Sequence, residues 1–286
     1  MLQYLQSAEM KKLDEIVYGD QYTGDSWQEY AWRWALCHLL ANNPNYADRF
    51  RPLGLGLLNG RDVDFRQVYG AMYREILFEY EFFVKHLDQG LRADLISFDW
   101  NRKFRKSLSN SPAKAKITAN RGWQPSGLMV DSQTKYQFSA EGQWTLAENG
   151  PTLDSNGNTV VAPPEPDSAT DDPGVVSTAK ASPDASAELE SDDGQQRRAG
   201  QLVGIVLTFD EKTGYHLSKP FSLGRFGTFT APATGNLYLR CNDRWNEIAD
   251  NLGEVSALIK EDGPGSPLRE PRPEVLRPQR RTRSGR

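Results

Sequence analysis

The chain has 286 residues, 38% of them hydrophobic and 25% charged, which is enough material for two buried cores and too much for a single small module. Its formal net charge of -4 hides two opposed segments. Residues 151 to 194 set ten acids against Lys180 alone, and residues 263 to 286 set seven arginines against Glu270 and Glu274. The rest is near neutral, which excludes a global basic footprint for nucleic acid, and no apolar run approaches the roughly 18 residues of a membrane span.

The start lacks a basic stretch followed by an apolar one, so no export signal is expected. Localisation is then extracytoplasmic only if the true start lies upstream, and cytoplasmic otherwise. Cys37 and Cys241 sit far apart inside apolar patterns and read as buried thiols. None of His38, His86 and His216 belongs to a His-Glu-x-x-His motif.

The first hundred residues read as helices. Asp25 stands at an N-cap position with Gln28 three residues on, and Tyr30, Ala31, Trp34, Ala35, His38 and Leu39 then repeat at three and four, ending at Asn42-Asn43-Pro44. A second helix runs from Tyr46 through Phe50, Leu53 and Leu57 to Asn59-Gly60. A third starts near Asp64, and a longer one carries Met72, Ile76, Leu77, Tyr80 and Phe83 to Asp88-Gln89-Gly90. At this spacing Trp27, Tyr30, Trp32 and Trp34 read as core packing before a ligand groove, and His38 and His86 as packed or surface histidines.

From about Lys114 the period changes to two. Strands are expected over 116–119, 127–130, 135–140, 143–146, 201–209, 228–231, 236–241 and 254–260, with turns at Glu141-Gly142 and at Ala233-Thr234-Gly235. Eight short strands without intervening helices argue for an antiparallel β-sandwich. The acidic segment contains no aromatic residue, and the tail interleaves five prolines with its arginines, so neither can bury enough apolar surface to fold. The expected architecture is α+β: a small α-helical N-terminal domain over 1–105, an antiparallel β-sandwich over 112–262 with a disordered acidic insertion over 148–199, and a disordered basic tail over 263–286. The oligomeric state is not legible.

One connection carries candidate chemistry. Asp243, Asn246, Glu247, Asp250 and Asn251 place three carboxylates and two amides within nine residues. Calcium takes six to eight hard oxygen ligands, so the connection is either a calcium loop or a solvated turn.

The runs Ile117 to Gly127, Ser139 to Trp144, Phe229 to Pro232 and Gly235 to Asp243 resemble the PA-I galactophilic lectin-like domain, a calcium-binding β-sandwich. The resemblance implies calcium ligation by Asp243, Glu247, Asp250 and Asn251 and by the backbone carbonyl near Leu146. It also implies that a carbohydrate or glycoconjugate completes the metal's shell, with Asp243, Trp245, Asn246 and Asp250 as sugar contacts. Trp245 would either stack on a sugar face or pack against the sandwich. The family's sugar-gripping His and Gln have no counterpart, because the acidic segment replaces their loop, so galactose specificity does not carry over.

The stretches Trp27 to Leu40, Phe65 to Phe83 and Leu91 to Trp100 look like the helices that follow the active site in gluzincin-type zinc peptidases. The catalytic zinc motif is absent, as are Gly-x-Ser-x-Gly and phosphate-loop patterns, so no intrinsic catalysis is expected. The sequence thus points to a calcium-dependent, lectin-like carbohydrate-binding protein. The alternative is an inactive C-terminal portion of such a peptidase, with a structural or partner-binding sandwich.

Overall fold

A computed structural model describes residues 1–18, 26–90, 92–106, 111–160, 188–190 and 193–272. Helices come first: α1 (Leu2–Ser7), α2 (Leu13–Tyr18), α3 (Trp27–Asn42), α4 (Ala47–Leu58), α5 (Phe65–Tyr69), α6 (Tyr73–Lys85) and α7 (Ala93–Ile96). Ser26 caps α3, its Oγ accepting the Glu29 N–H at 3.2 Å, while the expected cap Asp25 lies outside the described residues. The helices over 47–58 and 73–85 fall where the periodicity placed them, and Gly60 and Gly90 end their segments with left-handed φ of 64° and 68°.

The buried face of α3 is Ala31, Trp32, Ala35, Leu36, Leu39 and Leu40, one residue round from the expected stripe. Leu5, Leu13 and Ile16 of α1 and α2 join Trp32 in the core, and the Trp32 indole donates to Tyr4 Oη at 3.3 Å. Trp32 is therefore core as expected. Trp27 and Tyr30, more than half exposed, are not.

Twelve strands follow among the described residues: β1 (Arg105–Lys106), β2 (Ala113–Thr118), β3 (Gln124–Val130), β4 (Lys135–Thr145), β5 (Glu188–Glu190), β6 (Gln196–Arg198), β7 (Leu202–Asp210), β8 (Gly214–Leu217), β9 (Phe221–Ser222), β10 (Phe226–Thr230), β11 (Gly235–Cys241) and β12 (Leu252–Glu261). One sheet runs β1-β3-β11-β7-β8 with β9 also on β7, and a second runs β10-β4-β12-β2. Pairing is antiparallel except for β1 beside β3, and β5 and β6 form a separate hairpin.

The expected turn at Glu141-Gly142 is continuous strand. Gly142 pairs with Val255 across β12, and a Cβ on it would lie 2.3 Å from the Glu254 carbonyl oxygen, so this glycine serves close approach rather than reversal.

The two sheets face each other across Leu128, Val130, Leu202, Val206, Leu237 and Leu239 on one side and Ile117, Phe138, Val255, Ala257 and Ile259 on the other. The outer face of the first sheet is buried as well. Val203, Ile205, Leu207 and Tyr238 belong to the same apolar cluster as Ile76, Phe82, Phe83 and Phe98 of the helical part, so helices, sheet and sheet stack as three layers. The unbroken apolar run of β7 reflects burial on both faces. The chain is α+β, and its helical layer shares its core with the sandwich.

Parts of the segments expected to be disordered are ordered. Leu153 bridges Trp144 and Thr159 and sits in the sandwich core, and Asp154 Oδ1 accepts the N–H groups of Asn156 and Asn158 at 2.8 and 2.9 Å. In the tail, Leu268 N–H donates to Gln137 Oε1 at 3.0 Å and Ser139 Oγ to the Arg269 carbonyl at 3.1 Å. A buried leucine and hydrogen bonds to the neighbouring strand thus order chain that is otherwise poor in apolar residues. The expectations for 161–187, 191–192 and 273–286 fall outside the described residues.

Candidate functional site

The loop from Asn242 to Asn251 leaves β11 at the end of the first sheet and enters β12 in the second, so it closes one end of the sandwich. It also touches the helical layer, since a Cβ on Gly90 would lie 3.1 Å from Asn246 Cβ. A cavity of about 540 Å³ opens there. Its floor is Arg240, Asn242 and Asp243, Trp123 and Trp245 are walls, and Leu189 and Glu190 of β5 form part of the rim.

Arg240 is the centre of this floor. Its guanidinium carbon lies 3.8 Å from the ring centroid of Trp245 and 5.2 Å from that of Trp123, and its Nη2 donates to the Asp243 carbonyl at 2.7 Å. Asn242 fixes the rim: its Nδ2 donates to the carbonyls of Arg197 and Arg198 at 3.3 and 2.9 Å. The hairpin is held further by a buried ion pair, Arg197 Nη1 to Asp193 Oδ1 at 2.7 Å, and by Arg197 Nη2 to the Pro220 carbonyl at 2.6 Å.

The residues expected as calcium ligands divide into two groups. Asp243 and Asn251 are buried, 5% and 1% exposed, and each has one oxygen without a hydrogen-bond partner, Asp243 Oδ2 and Asn251 Oδ1. Asp243 Oδ1 accepts the Arg244 N–H at 2.8 Å, and Asn251 Nδ2 donates to the Ala119 carbonyl at 3.3 Å. Burial holds the Asp243 carboxyl above its usual range, against the lowering effects of the Asn251 side chain and the Arg244 N–H. Leu146 follows Thr145, which pairs with Leu252, so register places Leu146 and Asn251 at the same end of the second sheet.

Glu247 and Asp250 are not brought in. Glu247 is exposed and accepts from Arg244 Nη1 at 3.3 Å three positions back, and Asp250 is exposed at the end of a short 3-10 turn over Ile248–Asp250. Buried Ile248 anchors that turn, which leaves the acids on either side at the surface. Accordingly, no group of three His, Cys, Asp or Glu residues among those described is placed to hold a metal.

Of the two roles open to Trp245, the packing one is what its surroundings show. It is 4% exposed, the Arg240 guanidinium covers it, and Phe82 and His86 flank it at ring-centroid distances of 5.5 and 5.6 Å. Asn246 is exposed at the cavity rim. His86, whose Nδ1 lies 2.8 Å from the Phe82 carbonyl oxygen, is a packed histidine as expected.

The sequence reading missed Arg240, Trp123 and Asn242. In β11 the alternation Leu237, Leu239, Cys241 marks one inward face, which assigns Tyr238 and Arg240 to solvent. The only signal to the contrary was the apolar run of β7 beside it. Among the described residues, no helix is long and apolar enough to cross a membrane.

No protein-family profile matches the chain, and no curated protein matches it. Among solved structures, one described as "EclA N-terminal domain; PllA-like lectin" is similar to it, with a TM-score of 0.34 and 16% identity over 54% of this chain and 100% of that one.

Proposed function

We propose that the protein is a lectin-type carbohydrate-binding module, without catalysis of its own, that takes a saccharide in the cavity above Arg240, Asn242 and Asp243. The observation that carries this reading is buried Asp243 in the cavity lining, whose Oδ2 has no hydrogen-bond partner, with Asn251 Oδ1, likewise without one, at the same end of the sandwich. Each such atom costs about 1–3 kcal/mol when nothing satisfies it. A bound cation or a ligand hydroxyl removes that cost. The loop register shared with the PA-I galactophilic lectin-like domain supports the same reading.

The donor set fits calcium in part. Asp243, Asn251 and the Leu146 carbonyl supply hard oxygens, and calcium bound there would orient sugar hydroxyls by direct ligation. Asp243 and Asn251 would hold such an ion, while Arg240 keeps the loop in place by donating to the Asp243 carbonyl. Glu247 and Asp250 stay at the surface.

Thermal melting of the full chain with millimolar calcium and then with excess chelator tests the reading. A ligand that binds only the folded state adds about 2.7 kcal/mol at a hundredfold excess over Kd, equivalent to roughly 5 °C in a protein this size. The expected result is a calcium-dependent rise that Asp243→Asn abolishes, since the amide keeps the side-chain shape and removes the charge. Superimposable melts, with no saccharide bound in a glycan screen, leave the sandwich structural and favour the peptidase-remnant alternative.

A further inference from the structure

We propose that a second cavity, which Trp123 also borders, is a subsite for an anionic group, so that the saccharide recognised is an acidic one carrying a carboxylate or a sulfate. This deepens the carbohydrate-binding reading and rests on it. The cavity, about 260 Å³, is lined by Ser97, Asp99, Arg102, Lys116 and Arg121, with Trp123 as a wall common to it and to the larger cavity. Trp123 thus borders both a cavity of saccharide size and a smaller one sized for one charged substituent.

The charge there is only partly neutralised from within. Lys116 Nζ reaches Glu254 at 2.6 Å, whereas Arg102 and Arg121 make no ion pair among the described residues. Arg66, Arg92, Arg197 and Arg244, by contrast, each meet a carboxylate. The one acid in the lining, Asp99, which also accepts the Asn101 N–H at 3.1 Å, offsets one of the three basic side chains and leaves the lining with an excess of positive charge. The cavity is locally positive in a folded body that is near neutral overall.

Both arginines are carried on positioned chain. The turn bearing Arg121 is tied to α7 by the Gly122 N–H donating to the Leu95 carbonyl at 2.9 Å, and a Cβ on Gly122 would come within 3.2 Å of both Ile96 Cα and Trp245 Cζ3. The Arg102 guanidinium lies against Gly127 of β3, 3.6 Å from where a Cβ would stand. Arginine's planar fork binds carboxylate or sulfate through two parallel N–H groups, a geometry that a hydroxyl cannot match.

The test is calorimetric titration of the full chain with three oligosaccharides of equal length, one neutral, one uronate and one sulfated, and with inorganic sulfate alone. The acidic oligosaccharides are expected to bind at least about tenfold more tightly than the neutral one, with a preference that shrinks as salt is raised. The double substitution Arg102→Gln with Arg121→Gln should erase that preference and leave the neutral affinity unchanged. Equal affinity for neutral and acidic forms, or a preference that survives the double substitution, overturns the anionic subsite while the carbohydrate reading stands. Binding of sulfate without any saccharide, or of no probe at all, overturns both.

Discussion

Glu79 is the buried acid on which the helical layer turns. Its carboxylate accepts from Asn43 Nδ2 at 3.1 Å, from the Tyr46 hydroxyl and from the Phe98 N–H at 2.6 Å, joining the end of α3, the start of α4 and the segment that leads to the sheets. Burial pushes its pKa up to about 7 despite those donors. A folded pKa raised above the unfolded value gives stability that is fully present below the unfolded pKa, near 4.5, and is lost as pH rises through 7. Denaturant melts are therefore expected to show stability falling, by an amount on the order of 3 kcal/mol, between about pH 5 and about pH 8. Asp243, also raised by burial, acts in the same direction, its contribution being lost as pH rises from the ordinary aspartate range upward. Glu79→Gln should flatten most of the pH slope, and a slope of unchanged size in that variant would assign the effect elsewhere. At this scale the sequence showed Asp243 and Asn251 through register. It hid Glu79 and Arg240, because what decides their roles is the layer that covers them, which no local pattern encodes.

At the level of elements, glycines separate two physical situations. In β4, a Cβ on Gly142 would meet the Glu254 oxygen at 2.3 Å and Val255 Cα at 2.9 Å, at a φ of 129°, in the middle of the pairing with β12. Gly142→Ala is expected to cost about 3 kcal/mol. In α4, a Cβ on Gly54 would have nothing within 4 Å, so Gly54→Ala should gain about 0.5–1 kcal/mol of helix stability. Paired urea denaturation curves of the two variants check both signs. The long strands were legible because their alternation survives one buried face, as Leu237, Leu239 and Cys241 show. The short strands β1, β5, β6, β8 and β9 were not, since two to four residues carry no clear period and the β5–β6 pairing leans on anchors such as Arg197 with Asp193.

For the molecule as a whole, the two apolar clusters share β7 and β11: Val203, Ile205, Leu207 and Tyr238 serve the helical side, and Leu202, Val206, Leu237 and Leu239 serve the sandwich. Calorimetry of the full chain should accordingly record one cooperative transition. Residues 111–272 expressed alone should lose solubility or bind a hydrophobic dye, because the outer face of the first sheet would be bare. Two separated transitions would refute that coupling. The sequence conveyed the α+β division and the change of period near Lys114, but read the halves as consecutive units, because contact between layers leaves its mark only in β7, where both alternating faces are apolar.

The β5–β6 hairpin has a further consequence. Leu189 and Glu190 stand on the cavity rim and belong to neither apolar cluster, while Arg197, Asp193 and Asn242 fasten the hairpin from below. The fastening and the rim are thus different residues. Substitutions at positions 189 and 190 can therefore remodel what enters the cavity without touching either apolar cluster or the Arg197–Asp193 pair beneath.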